Sequence, residues 1–392
     1  MPGDPTSSTH PPLPPTTEDD RTNWLRLLRS RRVGVSTFWR LLSEHGSAKA
    51  ALDALPSVAE AAGVSGYRAC PLAVVEKEMA QARAAGLKPI FAGEPGYSPM
   101  LAGLDDAPPV VWCLGRADLL TRPSIAIVGS RTASSAATRM TRKLARDLSD
   151  AGFVIVSGLA RGVDTMAHRA SLTGGTIAVM AGGADVIYPG ENTDLAHEIA
   201  KGGLRFSEQP VGLQPLARHF PTRNRLISGL ARAVVVMEAE AKSGSLITAR
   251  CAADQGRDVM AVPAHPFEQR SAGCNMLIRD GATLVRNADD VIEVTGPAQQ
   301  DTHPVIRNLF ADDAIASVQS PAMAAPDPKR PLAKTAELHS LILERIGPAP
   351  VTEDQLIRDL SVSSHEVSPA LIELELDGAI RRDPGGLVSR PN

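Results

Sequence analysis

The chain has 392 residues, of which 43% are hydrophobic and 22% charged, and a formal net charge of −3. That length exceeds a single compact core and implies two or three domains of an ordinary globular protein. The slight acidity excludes a globally basic nucleic-acid coat, and no apolar run approaches the roughly eighteen residues of a membrane span.

Residues 1–20 are rich in Pro, Ser, Thr and acid and lack a basic start followed by an apolar stretch, so they read as a disordered tail and not as a secretory signal. Cys70, Cys113, Cys251 and Cys274 are scattered, with no C-x-x-C pair and no histidine at metal spacing. They are expected to be reduced thiols of a cytoplasmic chain, with no metal site. Across residues 21–90, Trp24, Leu25, Leu27 and Leu28, then Phe38, Leu41 and Leu42, then Ala51, Leu52 and Leu55 recur at helical spacing. Turns at Val33-Gly34 and His45-Gly46 break them into short helices. This predicts an N-terminal helical domain, loosely of the SAM or helix-hairpin-helix kind, serving to pack and position.

Within an expected domain of residues 95–295, apolar strands alternate with amphipathic helices from Ser124 onward. The expected strands are Ile125–Val128, Val154–Ser157, Ile177–Met180, Leu204–Ser207, Ala233–Met237, Val259–Val262 and Thr283–Val285. Such alternation predicts an α/β fold, a Rossmann-like doubly wound parallel sheet. Residues 296–334 are rich in Pro, Ala and Gln and read as a linker. In residues 335–392, helical patterns at Thr335–Ile346, Thr352–Leu360 and Ser364–Leu376 precede a hairpin turn at Asp383-Pro384-Gly385-Gly386. Three helices and a hairpin make a C-terminal winged helix.

In an open parallel sheet the ligand crevice lies at the carboxyl ends of the strands, where helix N-termini offer unpaired N–H groups to anions. Ile125–Arg131 (IAIVGSR), Ser157–His168 (SGLARGVDTMAH), His219–Leu230 (HFPTRNRLISGL) and Ser243–Arg250 (SGSLITAR) put small or basic residues at such transitions, which points to a phosphate-bearing ligand. The first loop is Gly129-Ser130-Arg131, not G-x-G-x-x-G, and the second strand ends in Ser157-Gly158 with no acid to hold a ribose. There is no G-x-x-x-x-G-K-[ST] either, so no nucleotide cofactor is expected.

What remains suits a nucleic-acid backbone. Ser130 offers a hydroxyl and Arg131 a guanidinium fork, while Gly129, Gly158 and Gly162 allow phosphates near main-chain N–H groups or simply serve their turns. Residues 117–295 are near neutral, yet Arg218, Arg223, Arg225 and Arg232 share a stretch without an acid. Phe220, among those arginines, either anchors the loop or offers a face to a base. Asp164 and His168 read as a capping residue and a packed neighbour and not as catalysts. Glu208 and Glu238, at strand ends, read as partners of the arginines.

These motifs, together with GGTIAVMAGGADVIYPGEN, SEQPVG and GCNMLIRDGATLV, closely resemble in order the DNA-processing protein A (DprA/Smf) family, over roughly residues 95–290. The flanking domains resemble that family's N-terminal helical and C-terminal winged-helix domains. The resemblance implies a bacterial, non-catalytic protein that binds incoming single-stranded DNA during natural transformation, forms a homodimer and helps load RecA. Carried over by motif, Gly129, Ser130 and Arg131 form the phosphate loop. Ser157, Gly158, Arg161, Gly162 and Asp164 line the same pocket beside Arg218, Phe220, Arg223, Asn224 and Arg225. Ser243, Gly244, Ser245 and Thr248 supply a further helix N-terminus.

The C-terminal domain departs from a simple DNA reader. From Thr335 onward five Arg and no Lys stand against ten acids, a net charge of −5, and the expected recognition helix carries Glu366, Glu373, Glu375 and Asp377. A protein-contact or structural role is expected for it. The rival function is a nucleotide phosphoribohydrolase of the lysine-decarboxylase-like kind, which needs G-G-x-G-T-x-x-E. Ser243–Ala249 (SGSLITA) has no acid at the matching place. A protein-interaction scaffold is the third reading, and it leaves the arginine stretch without purpose.

Overall fold

A computed structural model describes residues 14–298 and the short segments 351–352, 381–383 and 387–389, which divide between two units, Met1–Pro304 and Val305–Asn392. The first unit opens with four helices, α1 (Glu18–Arg29), α2 (Val35–His45), α3 (Ala48–Ala61) and α4 (Leu72–Ala84). Helix α1 starts inside the stretch whose composition reads as tail. The Thr17 hydroxyl accepts from the Asp20 N–H at 3.1 Å while the Asp20 carboxylate accepts from the Thr17 N–H at 3.2 Å. This reciprocal cap, with acids through the first turn, makes Glu18–Asp20 helical. Residues 1–13 of the expected tail lie outside the described residues.

The helices close over an aromatic cluster. Trp24 meets Phe38, Trp39 and Phe91 edge to face at centroid distances of 5.1, 5.7 and 6.2 Å. Phe91 belongs to the sheet, so the helical domain shares its core with the α/β domain. A pair at 2.8 Å between the partly exposed Arg29 and the buried Glu78 ties α1 to α4.

There follow β1 (Lys88–Phe91), α5 (Pro99–Ala102), β2 (Val110–Gly115), β3 (Ser124–Val128), α6 (Ser135–Asp150), β4 (Val154–Ser157), α7 (Val163–Ser171), β5 (Thr176–Val179), α8 (Thr193–Gly202), β6 (Leu204–Ser207), α9 (His219–Leu230), β7 (Ala233–Val236), α10 (Ser245–Asp254), β8 (Asp258–Ala261), α11 (Ala272–Arg279), β9 (Thr283–Leu284) and α12 (Ala288–Thr295). The sheet order is β1-β2-β6-β5-β4-β3-β7-β8-β9. From β6 to β9 every pairing is parallel, as expected. Strands β1 and β2, absent from the expected set, extend the sheet antiparallel beyond β6. Every residue of β3, β4, β5, β6 and β7 is buried, because helices cover both faces. The chain steps outward from β3 to β6 and returns to β7, so the order reverses between β3 and β7 and opens a crevice there.

In the second unit β10 (Val351–Thr352) and β11 (Arg381–Asp383) flank β12 (Leu387–Ser389), both antiparallel to it. The register Asp383↔Leu387 matches strands flanking the expected hairpin turn. Thr352, expected to open a helix, ends β10 instead. The remaining expected helical stretches and the linker beyond Ala298 lie outside the described residues. The four cysteines are unpaired. Among the described residues no helix is long and apolar enough to cross a membrane, and no three His, Cys, Asp or Glu side chains cluster as metal ligands.

Candidate nucleic-acid interface

The loops at the carboxyl ends of β3, β4 and β7 enclose a cavity of about 580 Å³, lined by Gly129, Arg131, Asp164, Phe220, Arg223, Asn224, Ser243, Gly244, Ser245 and Thr248 among others. A small recess beside it adds Gly158 and Arg161 and shares Arg131, Phe220 and Arg223. The loops after β3 and β4 meet backbone to backbone. The Val163 N–H donates to the Ser130 carbonyl at 3.1 Å, and Gly162 has a φ of 74° with a position for Cβ only 2.3 Å from that same oxygen. A side chain at 162 would part the loops.

Helix α9 turns one face to the crevice: Phe220, Arg223, Asn224 and Ile227, at i, i+3, i+4 and i+7. Arg223 is only 6% exposed. A Cβ at Gly158 would lie 1.5 Å from its Nη1, so the guanidinium occupies space that only glycine leaves free. Its Nε and Nη1 have no hydrogen-bond acceptor. Burial pushes its pKa down to about 10, against the pull of Asp164, with Arg131 adding repulsion. Two uncommitted donors on a buried cation beside the crevice suit an anion.

Asp164 is spent on the loop itself. Its carboxylate accepts from the N–H groups of Gly158 at 3.1 Å and Ala160 at 3.2 Å. Burial raises its pKa, opposed by Arg223 and these bonds. His168 is fully buried between the Leu159 N–H at 3.3 Å and the Thr176 hydroxyl at 2.7 Å, and burial lowers its pKa to about 3. It stays neutral and holds α7 to the sheet.

Phe220 has the guanidinium carbons of Arg131 and Arg223 at 5.6 and 6.0 Å from its ring centroid. Tyr188, half exposed, meets it edge to face at 5.6 Å and extends the aromatic wall. At the far rim the Ser243 and Ser245 hydroxyls share a 2.7 Å hydrogen bond at the start of α10. Tyr188 is a lining residue that the sequence reading did not single out. Its signal was an aromatic within the quoted YPGEN stretch, in a chain with only three tyrosines.

Several expected site residues stand elsewhere. Ser157 is buried and donates to the Ile127 carbonyl at 2.7 Å, tying β4 to β3. The Ser130 hydroxyl accepts from the Thr132 N–H at 3.2 Å and does not line the cavity. Arg218 is exposed just before α9, outside the lining. Arg161 reaches the recess but pairs with Glu191 at 3.3 Å.

Arg225 is two residues from Arg223, about 200° around the helix, and faces away. It donates to the Asp106 carbonyl at 2.8 Å and forms ion pairs with Glu208 and Asp106. Arg232 lies at the opposite, amino-terminal end of the sheet and donates to the carbonyls of Thr295 at 3.4 Å and Pro297 at 3.0 Å. Glu208 is thus an arginine partner as expected. Glu238 instead accepts from the Ser134 N–H at 3.1 Å, bracing the start of α6.

A family profile described as DNA recombination-mediator protein A matches residues 88–296, one for a DprA-like N-terminal HHH domain residues 18–81, and one for a DprA winged helix domain residues 326–386. Protein Smf of Synechocystis is 36% identical over 313 residues, 74% of this chain and 77% of that protein. The DNA processing protein DprA of Streptococcus pneumoniae is 46% identical over 194 residues, 49% of this chain and 68% of that protein. The X-ray structure of DNA processing protein A from Streptococcus pneumoniae superposes with a TM-score of 0.52 at 36% identity, covering 67% of this chain and 98% of that one.

Proposed function

The chain belongs to the DNA-processing protein A (DprA/Smf) family, and from that premise we propose that its crevice binds the backbone of single-stranded DNA in the cytoplasm without catalysing a reaction. The observation that carries this reading is the Arg223 guanidinium, buried beside the crevice with two donors unsatisfied. A phosphate in the crevice would supply this guanidinium with the acceptors that the chain does not. Arg131 and the first turn of α10 face the same cavity, and Phe220 and Tyr188 offer rings to a base. The contacts so supplied are to phosphate and to any π face, which supports binding with little sequence preference.

A non-catalytic role is supported by the commitments of the acids. Asp164 holds two loop amides and Glu238 holds the start of α6, so neither is placed to activate water. Family membership supports the further steps of this proposal, that the protein dimerises and helps load RecA on incoming strands during transformation. A titration of the full chain with single- and double-stranded oligonucleotides at several salt concentrations tests the reading. Single strands should bind in preference, with log K falling linearly in log salt by about 0.7 per phosphate engaged. Arg131→Glu and Arg223→Glu should each weaken binding by about 1 to 3 kcal/mol. Salt-insensitive binding, or two silent variants, would refute the site.

A further inference from the structure

The back of α9 is held as firmly as its front is open. Three consecutive carbonyls in the loop between α5 and β2 are each captured by a side chain from a different place. The Asp106 carbonyl accepts from Arg225 on α9 at 2.8 Å, that of Ala107 from the Trp39 indole on α2 at 2.7 Å, and that of Pro108 from the Tyr97 hydroxyl at 2.8 Å. Arg225 also pairs with Glu208, at the end of β6, and with the Asp106 carboxylate at 3.4 Å. Its side chain is 14% exposed and that of Glu208 10%, so the pair is largely shielded from solvent. One turn on, a Cβ at Gly229 would lie 2.7 and 3.0 Å from Leu104 and Leu101, so α9 sits flush on α5 and the loop after it.

The front of the same helix has no slack. Arg223 threads the space left by Gly158 and cannot follow a turn of α9 without striking the loop after β4. We infer that Arg225 is a positioning residue. Clamped by Glu208 and the 106–108 junction, it sets the rotation of α9 that presents Phe220, Arg223 and Asn224 to the strand. Through Trp39 the N-terminal helices share in that setting. The inference rests on the proposed binding of single-stranded DNA, but the clamp itself is measurable without DNA.

Charge and position predict different outcomes. Glu208→Gln removes one negative charge from the chain, so a purely electrostatic account predicts DNA binding at least as tight; the clamp predicts binding weaker by about three- to tenfold. Arg225→Lys keeps the charge but not the planar fork that bridges a carboxylate and a carbonyl, and should weaken binding in the same way. In both, the slope of log K against log salt should equal that of the unaltered chain, because the bound strand resets the loosened α9 and the same phosphate contacts form at a cost in affinity, whereas loss of a direct contact would take about 0.7 from it.

Hydrogen exchange of the DNA-free full chain supplies the independent arm. Both variants, and Trp39→Phe to a smaller extent, should speed exchange across residues 219–230. Should Glu208→Gln not fold, Arg225→Lys and Trp39→Phe carry the same test. Unchanged protection of α9, binding by Glu208→Gln at least as tight as that of the unaltered chain, or a reduced salt slope in Arg225→Lys would overturn the inference. Failure of the unaltered chain to bind single strands would sink the functional reading, while the exchange data would still decide the clamp.

Discussion

Gly158→Ala places the most stringent demand on this account of the crevice. Gly158 has no positive φ, so its backbone accepts alanine. The added methyl would lie 1.5 Å from Arg223 Nη1, 2.5 Å from its Cζ and 2.7 Å from Nη2, distances that no adjustment of a few tenths of an ångström relieves. The variant therefore keeps every charge in the chain and evicts one guanidinium from its seat. If that guanidinium engages one phosphate, the loss is that of a charge-assisted hydrogen bond, about 1.5 to 3 kcal/mol or roughly ten- to 150-fold in affinity. The salt slope should fall by about 0.7. Fluorescence anisotropy with a labelled single strand at several salt concentrations measures both. A double-mutant cycle adds the decisive comparison. Gly158→Ala should cost little more in an Arg223→Ala background, because the group it displaces is already gone. Undiminished binding by Gly158→Ala, or full additivity of the two changes, would refute the assignment of Arg223.

Ser157→Ala should leave DNA affinity within about twofold and cost about 1 kcal/mol in urea denaturation, because its hydroxyl serves the Ile127 carbonyl and not the ligand. His168, with its pKa lowered to about 3 when folded and near 6.5 when unfolded, takes up a proton in the unfolded chain that the folded chain refuses. Its contribution is therefore full above about pH 6.5 and lost toward pH 3 at about 1.4 kcal/mol per unit, with the raised pKa of Asp164 working against the trend at the acid end. His168→Gln should flatten that slope in denaturation series, and an identical slope would contradict it. Deleting residues 335–392, net charge −5, should change single-strand affinity by no more than about 1 kcal/mol. Loss of RecA loading alone would mark this unit as a partner-docking module, and a large loss of DNA binding would show that it holds the strand.

The parallel strands were legible because burial on both faces demands unbroken apolar runs such as Ile125–Val128 and Ala233–Val236. Strands β1 and β2 were not. They precede the strand–helix alternation, and Val110–Leu114 alone does not reveal which strand it pairs with. Within the site, composition named the arginines but could not sort them. Arg223 and Arg225 look alike in HFPTRNRLISGL, and only their phase on α9 sends one to the crevice and the other to Glu208. That phase was available once the segment was read as a helix. Ser157 misled for a related reason: it ends a strand at the crevice, but its hydroxyl turns back to bridge β4 to β3. The sequence offers Gly158 as room for a phosphate or as a turn residue, whereas it is room for Arg223, a distinction that only the packed structure draws.

Arg232 grips the carbonyls of Thr295 and Pro297 at the amino-terminal end of β7, the pole of the sheet opposite the crevice. The polypeptide that continues past Ala298 thus departs from an anchored root. Load arriving at Pro297 would enter the sheet at its floor, through Arg232, whose main-chain N–H donates to the Ser124 carbonyl at the start of β3. The crevice is thereby kept apart from the point at which residues 295–297 are held.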